Sequence, residues 1–142
     1  MKRSLFLVIV VILLASLALA ACGGGASSGS KARPNPPADY ANKTNPLAGK
    51  ADAAEAGKKI YTTNCTSCHG EKGLGDGPAG AALNPHPGNL QDTAKNASDG
   101  YMYWLIAEGG APAGKSSSMP AWKAILKEEQ IWQVVTYIKT LK

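Results

Sequence analysis

Two cysteines and a histidine fall within five positions of the stretch NCTSCHG, Asn64 to Gly70. Three chemistries use such a cluster: a metal ion held by thiolate and imidazole, a reversible disulfide, and covalent attachment of a haem. The pattern Cys-x-x-Cys-His, here Cys65, Cys68 and His69, is that of c-type haem attachment. Two thiols add across the two vinyl groups of the porphyrin. A two-residue gap matches the vinyl separation and sets the next residue under the ring, where an imidazole reaches the iron. A zinc site needs a second pair of ligands, and downstream of residue 22 only His86 lies outside the motif. A thioredoxin-like pair needs a preceding strand within an α/β pattern, and neither is present.

An iron held by His69 on one side needs a second axial ligand or an open position. Three residues compete for it: Met119, Met102 and His86. Met119 lies in SSSMP, an irregular segment between two helical patterns, where a loop can pass over the far face of the ring. Met102 sits among aromatic residues in a helical stretch and reads as packing, while His86, in NPHPG, reads as a surface histidine. Met119 is therefore the expected ligand. A thioether favours ferrous iron and raises the potential, and a filled sixth position leaves no place for substrate or oxygen. That combination points to one-electron transfer rather than catalysis; the competing reading is a haem enzyme or gas or redox sensor whose sixth position can be vacated.

The N-terminus reads as an export signal. Lys2 and Arg3 precede an uncharged apolar run from Leu5 to Ala21, somewhat short of the ~20 residues of a relaxed membrane span. The run ends in LAAC, Leu19 to Cys22, which resembles the lipobox of bacterial lipoprotein signals, and the resemblance implies that Cys22 is lipidated. Cys65 and Cys68 then share one motif and no thiol is left for a structural disulfide. The expected organisation is a signal peptide over 1–21, a flexible Gly/Ser/Pro-rich tether over 22–50 and a folded domain over 51–142. As coil the tether would reach roughly 30 Å. Its alternative is to lie on the domain surface through Tyr40 or Leu47.

The formal charge of +5 says little about partners. Lys2 and Arg3 belong to the signal, and residues 22–50 carry four basic residues against Asp39 alone. Residues 51–142 hold nine basic and nine acidic side chains, so no basic patch supports nucleic-acid binding.

Three helices are legible in this part. The first runs from about Asp52 to Asn64, with Asp52 and Glu55 as a capping-box-like start. A second begins after Ser98, a plausible N-cap, carries Tyr101, Trp104 and Leu105, and stops at Gly109 and Gly110. The third, from about Glu128 to the C-terminus, repeats Ile131, Val134, Val135, Ile138 and Leu141 at helical spacing, although Lys127 is a poor cap. Glu71–Gln91 and Gly109–Ala121 are Gly- and Pro-rich loops. So much loop beside so little side-chain core implies that something else fills the centre.

From about Ala51 to Leu141 the chain resembles a class I monohaem cytochrome c domain, on the matches GKKIYTTNCTSCHG, GLGDGPAGAALNPHPGNL, MPAW and EEQIWQVVTYIKTL. The resemblance implies an all-α fold of three to four helices around one covalently bound haem c, with Cys65 and Cys68 as thioether positions and His69 and Met119 as axial ligands. It implies that Gly57 and Tyr61 cross the last helix near Val134 and Tyr137. It implies also that Pro85 or Pro87 offers a carbonyl to His69 Nδ1. Trp104, Trp122 and Asn89 are candidates for the haem propionates, and Lys72 and Lys115 for steering an acidic partner. The implied role is that of an electron carrier or electron-transfer subunit, not an enzyme in itself. It would sit lipid-anchored on the extracytoplasmic face of the membrane. Its redox partners would be a quinol-oxidising complex, a terminal oxidase or a reaction centre, within a larger membrane complex or apart from one.

Lipidation makes a direct prediction. Protein extracted from membranes with detergent should carry acyl mass on Cys22; intact mass spectrometry that finds an unmodified terminus at Cys22 or Gly23 removes the anchor.

Overall fold

The computed structural model describes residues 33–142. The expected signal over 1–21, the lipidation site Cys22 and residues 22–32 of the expected tether lie outside the described residues. Within them the chain forms helices α1 (Ala38–Ala41), α2 (Ala51–Asn64), α3 (Thr66–His69), α4 (Leu90–Asn96), α5 (Asp99–Glu108) and α6 (Glu128–Ile138). Two 3₁₀ turns, Ala111–Ala113 and Trp122–Ala124, lie between α5 and α6, and no strand occurs among the described residues. The all-α expectation holds.

The centre of the fold is the crossing of α2 and α6. Gly57 makes it possible: a Cβ at this position would lie 1.9 Å from the Gln133 carbonyl oxygen and 3.0 Å from the Tyr137 Cβ. The backbones therefore meet where a side chain would hold them apart, and one turn on the Tyr61 and Tyr137 rings pack at 5.1 Å with a 57° tilt. Here the implied crossing is found in place. The stripe Ile131, Val134, Val135 and Ile138 is buried against it, and burying each such side chain contributes about 1.5–3 kcal/mol.

Helix α5 is covered on almost every side. Tyr101, Met102, Tyr103, Trp104, Ile106 and Ala107 are all buried. Met102, Tyr103, Ile106 and Ala107 join the α2–α6 core, while Tyr101 and Trp104 form a second cluster with Ala113. Ser98 caps the helix as expected, its Oγ accepting from Tyr101 N at 3.2 Å, and Gly109, at φ 81°, ends it.

Other termini differ from expectation. Helix α2 begins one residue before Asp52, and its N-cap is Lys50, which makes no side-chain cap; Asp52 lies in the first turn, where a carboxylate favours the positive end of the helix dipole. Helix α6 does start after Lys127, because Gln130 Oε1 accepts the Lys127 N–H at 2.9 Å. It ends at Ile138, short of the C-terminus. Helix α4 was not legible as a helix. Asn89 caps it by accepting from Gln91 N at 2.8 Å and Asp92 N at 3.2 Å.

The largest difference lies upstream. The compact unit begins at Pro34, and the alternative named for this segment is found: a strap packed on the domain, with Tyr40 and Leu47 against the core. Tyr40 stacks on Tyr103 with centroids 6.0 Å apart, and its hydroxyl donates to Glu108 Oε1. Asn45, buried, donates from Nδ2 to Thr136 Oγ1 at 2.9 Å. The physical reason is α5, whose aromatic outer face needs cover that α2 and α6 cannot give.

Two predictions follow from these contacts. Gly57→Ala should lower the stability of the haem-bearing protein by about 2–3 kcal/mol in guanidinium unfolding, through forced separation of α2 and α6. The Tyr40–Glu108 pair adds a pH signature. Lys123 and then Tyr40 hold the Glu108 carboxyl below its ordinary 4.5, so its contribution to stability is present above that value and lost as pH falls below it. Glu108, aided by burial, pushes Tyr40 from 10.0 up to about 12, so the contribution of Tyr40 is complete below pH 10.0 and lost as pH rises towards 12. Unfolding midpoints measured against pH should show an acid limb that Glu108→Gln flattens; an acid limb identical in the variant would mean the pair gives folding nothing.

Candidate functional site

The C-terminus of α2 leads directly into the cysteine motif. Cys65 N donates to Tyr61 O at 2.8 Å, and α3 then turns once, with His69 N donating to Cys65 O at 2.8 Å. This turn puts Cys65, Cys68 and His69 together on the rim of one cavity of about 310 Å³. Tyr61 secures the exit of the turn, its buried hydroxyl donating to Gly70 O at 2.7 Å. The first loop folds back on the same turn: Gly75 N donates to His69 O and Ala79 N to Ser67 O, each at 2.9 Å.

The loop after α5 supplies another part of the lining. Met119 lines the cavity with Ser116, Pro120 and Trp122. Backbone bonds set the loop's path, with Gly110 N donating to Met119 O at 3.0 Å and Met119 N to Ser116 O at 3.2 Å. The rest of the lining includes core side chains, among them Leu90, Met102, Ile106, Val134 and Ile138. The cavity therefore reaches from exposed loop residues such as His86 and Lys115 into the core.

His69 Nδ1 is buried and makes no hydrogen bond. Burial, the larger influence, lowers the imidazole pKa from 6.5, and the Gly88 backbone partly opposes this by favouring the proton. Pro85 and Pro87 both line the cavity, but neither carbonyl accepts a hydrogen bond from His69 Nδ1. Burial, together with Cys68, pushes the Cys65 thiol up to about 12. A nucleophilic redox cysteine needs the opposite shift.

Each candidate named from sequence can now be placed. Cys65, Cys68, His69 and Met119 share the cavity, as do His86, Trp122 and Lys115. His86 is exposed, with Nδ1 3.2 Å from Gly80 O. Met102 is both core and cavity wall. Trp104, Asn89 and Lys72 are not among the lining residues: Trp104 belongs to the second cluster, Asn89 is the α4 cap, and the Lys72 carbonyl accepts from Gln91 Nε2. Among the described residues no three His, Cys, Asp or Glu side chains form a metal-holding group.

These residues fit a haem. A largely apolar cavity lined by two thiols, an imidazole and a thioether has the donor set that a covalently attached haem and its iron require. The unsatisfied Nδ1 lies on the ring whose other nitrogen would meet the metal.

Comparison with known proteins agrees. The family model described as Cytochrome c matches residues 54–142. A cbb3-type cytochrome c oxidase subunit FixP from Azorhizobium caulinodans is 33% identical over 121 residues, which is 79% of this chain and 36% of that subunit. The chain thus spans about a third of the length of that relative. A cytochrome c6 from Anabaena variabilis is 35% identical over 85 residues, 58% of this chain and 84% of that protein. A chain of the reducing HAO-like protein complex of Kuenenia stuttgartiensis superposes with a TM-score of 0.57 at 26% identity, over 78% of this chain and 52% of its own.

Proposed function

The chain belongs to the cytochrome c family and carries covalently bound haem c, and on that premise we propose that it is a membrane-anchored, His/Met-ligated monohaem electron-transfer protein. The observation that carries this reading is that Cys65, Cys68, His69 and Met119, far apart in sequence, all line one cavity. Cys65 and Cys68 are the thioether positions, His69 is one axial ligand and Met119 the second. The haem supplies a one-electron iron couple. The chain supplies a closed coordination sphere and an apolar enclosure that excludes water, both of which favour fast electron exchange over substrate chemistry.

The anchor is lipid on Cys22, outside the described residues, and the domain acts on the extracytoplasmic side. Among the described residues no helix is long and apolar enough to cross a membrane. With the strap packed from Pro34, only residues 22–33 are left to act as tether. The relatives support electron exchange with protein partners: one is named as an oxidase subunit and another as a cytochrome c6. The proposed partners are accordingly a quinol-oxidising complex, a terminal oxidase or a reaction centre, reached as a carrier or from within a larger membrane complex.

Replacement of Met119 tests the centre of the reading. Met119→Ala should abolish the methionine-to-iron charge-transfer band of the oxidised protein, lower the potential and open the reduced iron to carbon monoxide. A spectrum unchanged by the substitution excludes Met119 as ligand, and ready carbon monoxide binding by the unaltered protein at neutral pH would count against a carrier.

A further inference from the structure

Outside the cavity, polar groups converge most fully on Glu108, the last residue of α5. Tyr40, 68 residues upstream, donates its hydroxyl to Oε1. Lys123, 15 residues downstream, donates to Oε1 at 2.8 Å and pairs with Oε2 at 2.7 Å. One carboxylate therefore links the strap to the segment just beyond Met119.

The surrounding backbone gives this link its direction. Lys123 belongs to the 3₁₀ turn Trp122–Ala124, whose Trp122 lines the cavity. On the other side of Glu108, Gly109 abuts Met119, Pro120 and Ala121 so closely that a Cβ there would lie 2.7 Å from Met119 O, and Gly110 N holds that same carbonyl. The strap is itself seated on α5. At Gly100 the place of a side chain is taken by strap backbone: a Cβ would lie 2.0 Å from Tyr40 O and 3.0 Å from Lys43 O. Asn45 and Thr136 fix the far end, and Lys43 pairs with Glu128 at 3.4 Å.

We infer that Glu108 is a positioning residue for Met119, held by Tyr40 so that its ion pair with Lys123 keeps the Met119 loop closed. The inference rests on the reading of Met119 as axial ligand. Irregular loops open locally more readily than the core, and a movement that lifts Met119 carries Lys123 with it. Were Glu108 free, its side chain would swing outward and keep the pair intact. Tyr40 prevents this, so opening must break the contact between Glu108 and Lys123. The strap thereby resists release of a ligand it does not touch.

The test uses the full-length ferric holoprotein and imidazole as competing ligand, with displacement followed by loss of the methionine-to-iron band. Glu108→Gln, Tyr40→Phe and Lys123→Gln should each speed displacement about threefold to fivefold, the size expected for a partly exposed ion-pair network. Lys123→Arg should restore the unaltered rate. Tyr40→Phe keeps the ring that stacks on Tyr103, so it serves if Glu108→Gln fails to fold. Lys43→Gln breaks the strap's ion pair with Glu128 and should leave the rate unchanged. Unaltered rates in Glu108→Gln and Tyr40→Phe, with the band intact, overturn this inference alone. Equal acceleration by Lys43→Gln overturns it too, because the effect would then belong to any loosening of the strap. Absence of the band in the unsubstituted protein removes the ligand assignment itself and this inference with it.

Discussion

The contact on which the rest depends is the meeting of α2 and α6 at Gly57. It fixes two things at once. The end of α2 is the start of the cysteine motif, so the crossing decides where Cys65 and His69 stand. The inner face of α6 supplies Val134 and Ile138 to the cavity wall, so the same crossing decides how far that wall lies from them. A shift of the helices would move the attachment edge and the wall relative to each other, and a side chain at Gly57 imposes such a shift.

Around this rigid pair the remaining edges of the site are loops, and backbone bonds define them. The first loop is tied to the motif turn at His69 O and Ser67 O, and the second to the end of α5 at Met119 O. Such bonds fix a path without specifying side chains, which suits positions that must approach a flat prosthetic group. Their weakness is that a short loop with few buried contacts opens locally at low cost. The strap, Glu108 and Lys123 lie where that weakness would matter.

What could be read from sequence was whatever a local pattern specifies. The motif turn, the α6 stripe and the Ser98 cap each depend on neighbours within a few positions, and each is found where the pattern put it. The Gly57 crossing came through family resemblance, since no local rule says which helix a glycine will meet. Helix α4 is hard to read because it lies at the edge of a Gly- and Pro-rich loop and spans seven residues, although an asparagine two and three residues before Gln91 and Asp92 is an N-cap signature. The strap was legible only as an alternative, through Tyr40 and Leu47, for a less local reason. Its Pro-rich composition reads as linker, and the signal for its docking lies some sixty residues away in YMYWLIA, a stretch apolar on every face of its helix. A helix of that kind asks for a covering element on each side, and three helices do not supply one.

The cavity is walled by residues of the hydrophobic core itself, Met102, Ile106, Val134 and Ile138. An occupant held without covalent bonds would stabilise such a fold by mass action, with the logarithm of its free concentration, and would leave on dilution. Haem c is bonded to the chain. Whatever it packs against in the chain therefore counts thermodynamically as intramolecular packing: the contribution does not depend on any pool of free haem, and the protein forfeits it only by unfolding.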